Sequence, residues 1–225
     1  MRVVAIDGPA GAGKSTVAKL VAERLGLTYL DTGAMYRSVT YLALTRGVDP
    51  HDSAAVAELA RAMVLVIDGP TVHVDGTDVT AAIRSPEVNA NVSAVAANSA
   101  VRAELVARQR RWAQATGGGV MEGRDIATVV FPDAVLMVFL TASAEERARR
   151  RAAESGGEVA EIAESIRARD HADSTRADSP LVAADSAVVV MTDGKSVEQV
   201  VDEIAERFGE AVLVETGASG ERGSR

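Results

Sequence analysis

The sequence predicts an α/β fold: a parallel sheet flanked by helices, with a small inserted antiparallel β-lobe and a helical lid. Three observations lead there. A short apolar strand, Val3 to Asp7, runs into a glycine-rich turn and then an amphipathic helix. Apolar strands and helical stretches go on alternating along most of the chain, the pattern of a parallel sheet. Between residues 63 and 80 the alternation breaks into short β-rich runs parted by the turns Asp68-Gly69-Pro70 and Asp75-Gly76.

The first helix is read over Val17 to Leu25, with Val17, Leu20, Val21 and Leu25 on one face. Leu27 to Leu30 is a short strand, and Asp31 or Thr32 can cap the next helix, about Ala34 to Arg46. Asp52 to Arg61 reads as a short helix. The runs Met63 to Ile67, Thr71 to Val74 and Thr77 to Thr80 read as a meander. Ser85 caps a helical stretch with Pro86 and Glu87 in its first turn. Val88 to Ala97 and Ala100 to Gln114 are two helices or one kinked segment. Gly117 to Gly119 is read as a loop, Val120 to Glu122 as a strand, and Val135 to Leu140 as another central strand. Two charged helices, Ala144 to Ala153 and about Val159 to Ala172, flank the glycine hinge Gly156-Gly157 and look like a mobile flap. Ala187 to Met191 is the last strand, and Ser196 to Phe208 the closing helix. Gly217 to Arg225, polar and glycine-rich, is expected to be disordered.

Composition narrows the function classes. With 225 residues, 47% of them apolar, the chain can bury a single domain's core. A net charge of -8 argues against general nucleic-acid binding, which wants a basic face, while leaving room for a local arginine pocket. There is no cysteine, so neither disulfides nor thiolate metal sites are expected, and the three histidines have no metal spacing. No apolar stretch approaches the roughly 20 residues that span a bilayer. Met1-Arg2 runs directly into the first strand, so a cytoplasmic location is expected, with neither membrane nor nucleic acid as partner.

The chemistry is concentrated after the first strand. Gly8-Pro9-Ala10-Gly11-Ala12-Gly13-Lys14-Ser15, followed by Thr16, fits G-x-x-x-x-G-K-[ST] at every fixed position. Such a loop turns backbone N–H groups toward phosphate oxygens, and the next helix adds its positive N-terminus. Lys14 can reach the outer phosphates of a nucleoside triphosphate, and the Ser15 hydroxyl is placed to ligate Mg²⁺. The chain has only three lysines, and one of them stands where the motif requires it.

The rest of the chain chooses among phosphate-loop proteins. There is no N-K-x-D element to read guanine, and the candidate strands end in Glu122 and in Leu140-Thr141, so the Asp pattern of a motor ATPase is weak here. Thr32 and Arg37 follow the second strand, and Arg124-Asp125 follow the strand ending in Glu122, at the edge of the sheet where ligands bind. Arginines on exposed helices are ordinarily solvated or paired at i,i+4. Arginines at strand ends instead favour phosphoryl transfer to a second, phosphate-bearing substrate. A kinase for another monophosphate such as UMP, a nucleotide-dependent regulator and a small-molecule kinase are the competing readings.

Five segments, taken in order, resemble the bacterial cytidylate kinases. They are the phosphate loop with Thr16, Leu30-Asp31-Thr32-Gly33-Ala34-Met35-Tyr36-Arg37, Glu122-Gly123-Arg124-Asp125, Val129-Val130-Phe131-Pro132-Asp133-Ala134, and Arg169-Asp170 to Arg176 with Ser179-Pro180-Leu181. The resemblance covers about residues 2 to 210. It implies a P-loop nucleoside monophosphate kinase fold in a single domain, 1–215. The core would be 1–33, 117–143 and 177–215, the monophosphate-binding insert about 34–116, the lid about 144–176, and the tail 216–225. It implies Mg²⁺-dependent transfer from ATP to CMP or dCMP by a monomer, in pyrimidine nucleotide metabolism. It places Thr32 at the acceptor site and gives the acceptor phosphate to Arg37 and Arg124. It gives the cytosine to Ser93, Arg102 and Asp125, and the ribose to Arg169 and Asp173 with Arg176 close by. Lys14, Arg124 and the lid arginines Arg147 and Arg151 would be catalytic. One departure is Ala127, where the family commonly has Gly after Arg-Asp-Ile.

Overall fold

The computed structural model describes the backbone of residues 1–220, and side chains there except those of 154–155 and 215–220. Five parallel strands form the central sheet: β1 (Arg2–Asp7), β2 (Tyr29–Asp31), β6 (Gly118–Gly123), β7 (Leu136–Thr141) and β8 (Val188–Met191). They lie in the order β2-β6-β1-β7-β8, so β1 is central and the phosphate loop leaves from the middle of the sheet. The register pairs Asp7 with Gly123 on one side and with Phe139 on the other, which sets three strand ends at one level.

Because strand side chains alternate between faces, β1 feeds two separate cores. Val4 and Ile6 pack with α1 (Lys14–Leu25) and α8 (Val197–Gly220) through Val17, Val21, Val200, Val201 and Ile204. Val3 and Ala5 face the other layer, made by α2 (Thr32–Thr45), α3 (Ser53–Ala62), α4 (Pro86–Ala97) and α5 (Ser99–Thr116). Few aromatics enter either core, and Val, Ala, Leu and Ile fill both.

The interruption between residues 63 and 80 is an antiparallel sheet of β3 (Leu65–Asp68), β4 (Thr71–Val74) and β5 (Thr77–Asp78). It is shorter at both ends than the sequence predicts. Met63 caps the end of α3 instead of opening a strand. The Asp78 carboxylate accepts the Thr80 N–H at 2.9 Å, and this local turn ends the ladder. The 86–116 region is two helices, parted at Asn98, whose side chain accepts the Ala100 and Val101 N–H groups and caps α5. Asp31, of the two candidates, caps α2 by accepting the Ala34 N–H at 3.0 Å.

Two readings change. Gly118 and Gly119 belong to β6 and pair with Arg2 and Val3. A Cβ on Gly118 would lie 2.1 Å from the Arg2 carbonyl oxygen, so these glycines permit close strand approach and form no loop. The closing helix α8 continues to Gly220, past the predicted stop at Phe208 and into the segment read as a disordered tail; residues 221–225 lie outside the described residues. Between β6 and β7 the chain makes a π-helical turn, Ile126–Val130, that the sequence pattern does not announce. The charged helices are α6 (Ala144–Ser155) and α7 (Val159–Ser174), packed on each other through Ala148, Ala163 and Ile166. Among the described residues no helix is long and apolar enough to cross a membrane.

Candidate functional site

One cleft opens at the carboxyl ends of the strands, where α/β sheets bind ligands. Its first wall is the phosphate loop. Gly8 turns the chain at φ 153°, and a Cβ there would fall 1.9 Å from the Leu140 carbonyl oxygen, so the loop lies directly against β7. Gly13, left-handed at the N-cap of α1, has no side chain to cap the helix, which leaves first-turn N–H groups available to an anion. Ala10, Gly11, Lys14 and Ser15 reach the cleft surface. Gly8, Pro9, Ala12, Gly13 and Thr16 complete the loop and the start of α1 off that surface.

Lys14 is buried, and its Nζ donates to the Pro9 carbonyl at 2.8 Å. Burial, then the Arg124 charge, pushes its ammonium pKa down, against the pull of Glu122 and Asp7. Glu122, at the end of β6, accepts a hydrogen bond from the Tyr29 hydroxyl. Burial raises the Glu122 pKa, and repulsion from Asp31 adds to it, while Lys14, Tyr29 and the Ser15 hydroxyl oppose. The Tyr29 hydroxyl is held well above its ordinary range by burial and by the Glu122 and Asp31 charges. Ser15 and Glu122 thus set hard oxygen donors beside the lysine. No group of three His, Cys, Asp or Glu side chains fit to hold a metal by itself occurs among the described residues. That donor set suits Mg²⁺, which keeps few protein ligands and takes the rest from phosphates and water.

Much of the remaining lining is arginine. Arg37, on α2, is held by the Asn89 side chain at 2.6 Å and the Ile83 carbonyl at 3.3 Å. Arg124 is fixed by Asp173 of α7 at 3.0 Å, and Arg84 by Asp31 at 3.0 Å. Arg151 of α6 and Arg169 of α7 complete this part. Burial, then the neighbouring Arg169 charge, lowers the Arg37 pKa to about 10. Burial, then Arg124, lowers that of Arg169. The Nε atoms of Arg169 and Arg176 are buried without a hydrogen-bond partner. Eight basic and four acidic side chains line this cleft in a chain whose net charge is -8. Crowded guanidiniums with unmet donors are what a multiply charged anion relieves.

A further part of the lining is chemically different. Arg102 of α5 and Asp125, which follows β6, form a buried ion pair. Arg102 also donates to the Ala96 carbonyl at 3.2 Å, and its guanidinium lies 5.6 Å from the Tyr36 ring centroid. Ser93 and Asp173 line the same cleft, with Arg176 held by the Ser179 carbonyl at 2.7 Å. Thr32, the first residue of α2, donates its hydroxyl to the Glu122 carbonyl at 2.6 Å and faces the cleft.

Of the site residues expected from the sequence outside the loop, all but one lie on this cleft. The exception is Arg147. It is buried, and donates to the carbonyls of Ala10 and Ala142 at 3.0 Å each and to Asp170 at 2.7 Å. It fastens α6 and α7 to the phosphate loop. Sequence reading missed Asp31, Tyr36, Arg84 and Glu122 on the cleft, Asn89 behind Arg37, and Asp7 beneath the loop. For Glu122 and Asp7 the usable signal was a carboxylate ending a buried strand.

Fold and cleft together have the architecture of the P-loop kinase fold: a phosphate loop on the central strand shares one cleft with arginines gathered at the strand ends. The chain belongs to the cytidylate kinase family, whose model matches residues 4–210. It is 54% identical over 214 residues to a cytidylate kinase of Limosilactobacillus fermentum, covering 91% of this chain and 94% of that protein. It is likewise 54% identical over 217 residues to a bifunctional pantoate ligase/cytidylate kinase of Parasynechococcus marenigrum, covering 92% of this chain. It spans 43% of the length of that bifunctional relative, less than half. A gluconokinase of Sinorhizobium meliloti shares the fold, with a TM-score of 0.52 at 14% identity, covering 96% of this chain and 97% of that one.

Proposed function

We propose that this chain transfers the γ-phosphoryl group of ATP to CMP and dCMP, giving ADP with CDP or dCDP. One observation carries the reading: a single cleft is lined by Lys14 and Ser15 of the phosphate loop, by Arg37, Arg124, Arg151 and Arg169, and by the polar side chains of Ser93, Arg102 and Asp125. A hydrolase or switch has no use for a second phosphate site. The names of the relatives above agree with the reading.

The triphosphate lies along the Gly8–Gly13 backbone and the N-terminus of α1, with Lys14 on its outer phosphates. Ser15 would hold Mg²⁺, with Glu122 beside it, and the ion would neutralise charge on the β- and γ-phosphates. Arg37 and Arg124 hold the CMP phosphate in line with the γ-phosphorus. An acceptor oxygen forms the new P–O bond as the bond to the bridging oxygen of ADP breaks. CMP and ATP carry the same total charge as CDP and ADP, so the step needs no strong base. It needs positioning and charge stabilisation, which fixed guanidiniums supply.

Cytosine offers an amino donor beside ring-nitrogen and carbonyl acceptors. Asp125 accepts from the amino group, and Arg102 and Ser93 donate to the acceptors. Uracil reverses the donor pattern at two positions and fits this set less well. Arg169, Asp173 and Arg176 lie toward the ribose, and Thr32 lines the acceptor site. Arg151 closes on the transferring phosphoryl from the lid. Arg147 joins it only by leaving Ala10 and Asp170. In this reading residues 34–116 form the acceptor insert and 144–176 the lid, which shuts out water. The protein acts as a cytoplasmic monomer in pyrimidine nucleotide metabolism.

The test is an ADP-release assay with Mg²⁺, ATP and a panel of CMP, dCMP, UMP, AMP and GMP. CMP and dCMP should be the best acceptors by tenfold or more in kcat/KM, about the discrimination expected when buried polar groups lose their partners. Hydrolysis of ATP with no acceptor phosphorylated would defeat the reading.

A further inference from the structure

The feature argued from is a cap supplied from the wrong strand. The turn Ile126–Val130 begins just after Asp125, which occupies the N-cap position with φ -151° and ψ 24°. An aspartate there ordinarily accepts the first free N–H groups of its own turn. Asp125 makes no such bond, and its carboxylate goes to Arg102 on the cleft. The N–H groups of Ile126 and Ala127 are bonded all the same. They donate to the two carboxylate oxygens of Asp7, at 2.9 and 2.8 Å. Asp7, Ile126 and Ala127 are all buried, so water cannot substitute for this bond pair.

We propose that Asp7 is a positioning residue for the acceptor: it caps the Ile126–Val130 turn in trans and so leaves the Asp125 carboxylate for Arg102 and the cytosine. The register makes this possible. Asp7 stands opposite Gly123 in the β1–β6 pairing, beside the turn that Gly123-Arg124-Asp125 leads into. Without the Asp7 carboxylate, the Ile126 and Ala127 N–H groups are buried donors in search of an acceptor. The carboxylate of Asp125 is next to them in the chain. Drawn back to cap its own turn, it leaves Arg102 and withdraws from the base pocket. Asp7 also precedes Gly8, so one residue steadies the root of the donor loop and the acceptor-reading turn.

This inference rests on the CMP kinase reading, and one experiment separates their failures. Asp7→Asn keeps the shape but replaces one accepting oxygen with an amide, while Asp7→Ser keeps a single acceptor. KM is measured for CMP and for ATP in each variant and in an Asp125→Asn background, with circular dichroism melts as a fold control. The expected result is a rise of about tenfold in the CMP KM, the size of one lost buried hydrogen bond. The ATP KM should stay within about twofold, and the effect of Asp7→Asn should largely vanish once Asp125 is already Asn. Parallel rises in both KM values, an unchanged CMP KM, or a full Asp7→Asn effect in the Asp125→Asn background overturns the proposal. So does failure of both Asp7 variants to fold, since Asp7 would then serve stability alone. Wild-type protein that does not phosphorylate CMP defeats the underlying reading instead.

Discussion

Arg124 links the phosphate loop to α7. It follows β6, is clamped by Asp173 of α7, and adds to burial in lowering the Lys14 pKa. Arg124→Met should therefore lower kcat/KM for CMP by about 10²–10³-fold, the usual cost of removing one charge-stabilising donor. ATP affinity, read by fluorescent nucleotide displacement, should change by less than about threefold. Equal losses for both substrates would misplace the residue. Asp7 gives a second residue-scale outcome, in stability. Burial raises its carboxyl to about 6, with repulsion from Asp125 adding and the bonds from Ala127 and Ile126 and the Lys14 charge opposing. A pKa raised on folding favours the protonated native state. The stabilisation is whole below the unfolded value near 4 and is lost as pH rises through about 6. Denaturant unfolding of wild type against Asp7→Asn should show the wild-type advantage shrinking by about 2 kcal/mol between pH 4 and 7. A flat difference would contradict the assignment.

At the scale of elements, strand approach and helix caps carry the fold. Gly118→Ala must push the Cβ away from the Arg2 carbonyl, so the β1–β6 pairing yields and stability falls by about 2–4 kcal/mol, read as a drop in Tm. Asn98→Ala removes the α5 cap and the bond to the Ser53 carbonyl, for a loss of about 1–2 kcal/mol. Most elements were legible in the sequence because period and punctuation agreed, as with Ser85 before Pro86 and the two turns of the meander. The misreadings have physical causes. A run of three glycines ordinarily means a loop, and only the nearness of Arg2, Thr28 and Trp112 explains two of them as strand. The turn after Asp125 was invisible because its cap, Asp7 on β1, lies 119 residues before Ile126. Lys14, Ser15 and Arg124-Asp125 stood out through fixed spacing and strand-end position. Asn89 behind Arg37, and Arg84 with Asp31, are tertiary pairings with no local pattern.

At the scale of the whole molecule, charge is segregated. An acidic chain gathers guanidiniums from α2, α5, α6, α7 and the β6 end around one cleft, and fixes several with single carboxylates or carbonyls. The pair α6–α7 is tied to the core through Arg147 to Ala10 and Asp173 to Arg124, so its position is linked to the phosphate loop and to the end of β6. The central claim is direct transfer between two bound nucleotides. The measurement that meets it head-on follows the label from [γ-³²P]ATP mixed with Mg²⁺, CMP and the protein. The account predicts that label lost from ATP appears in CDP, with little inorganic phosphate and none retained on the protein. Label released as inorganic phosphate while CMP stays unchanged would contradict it.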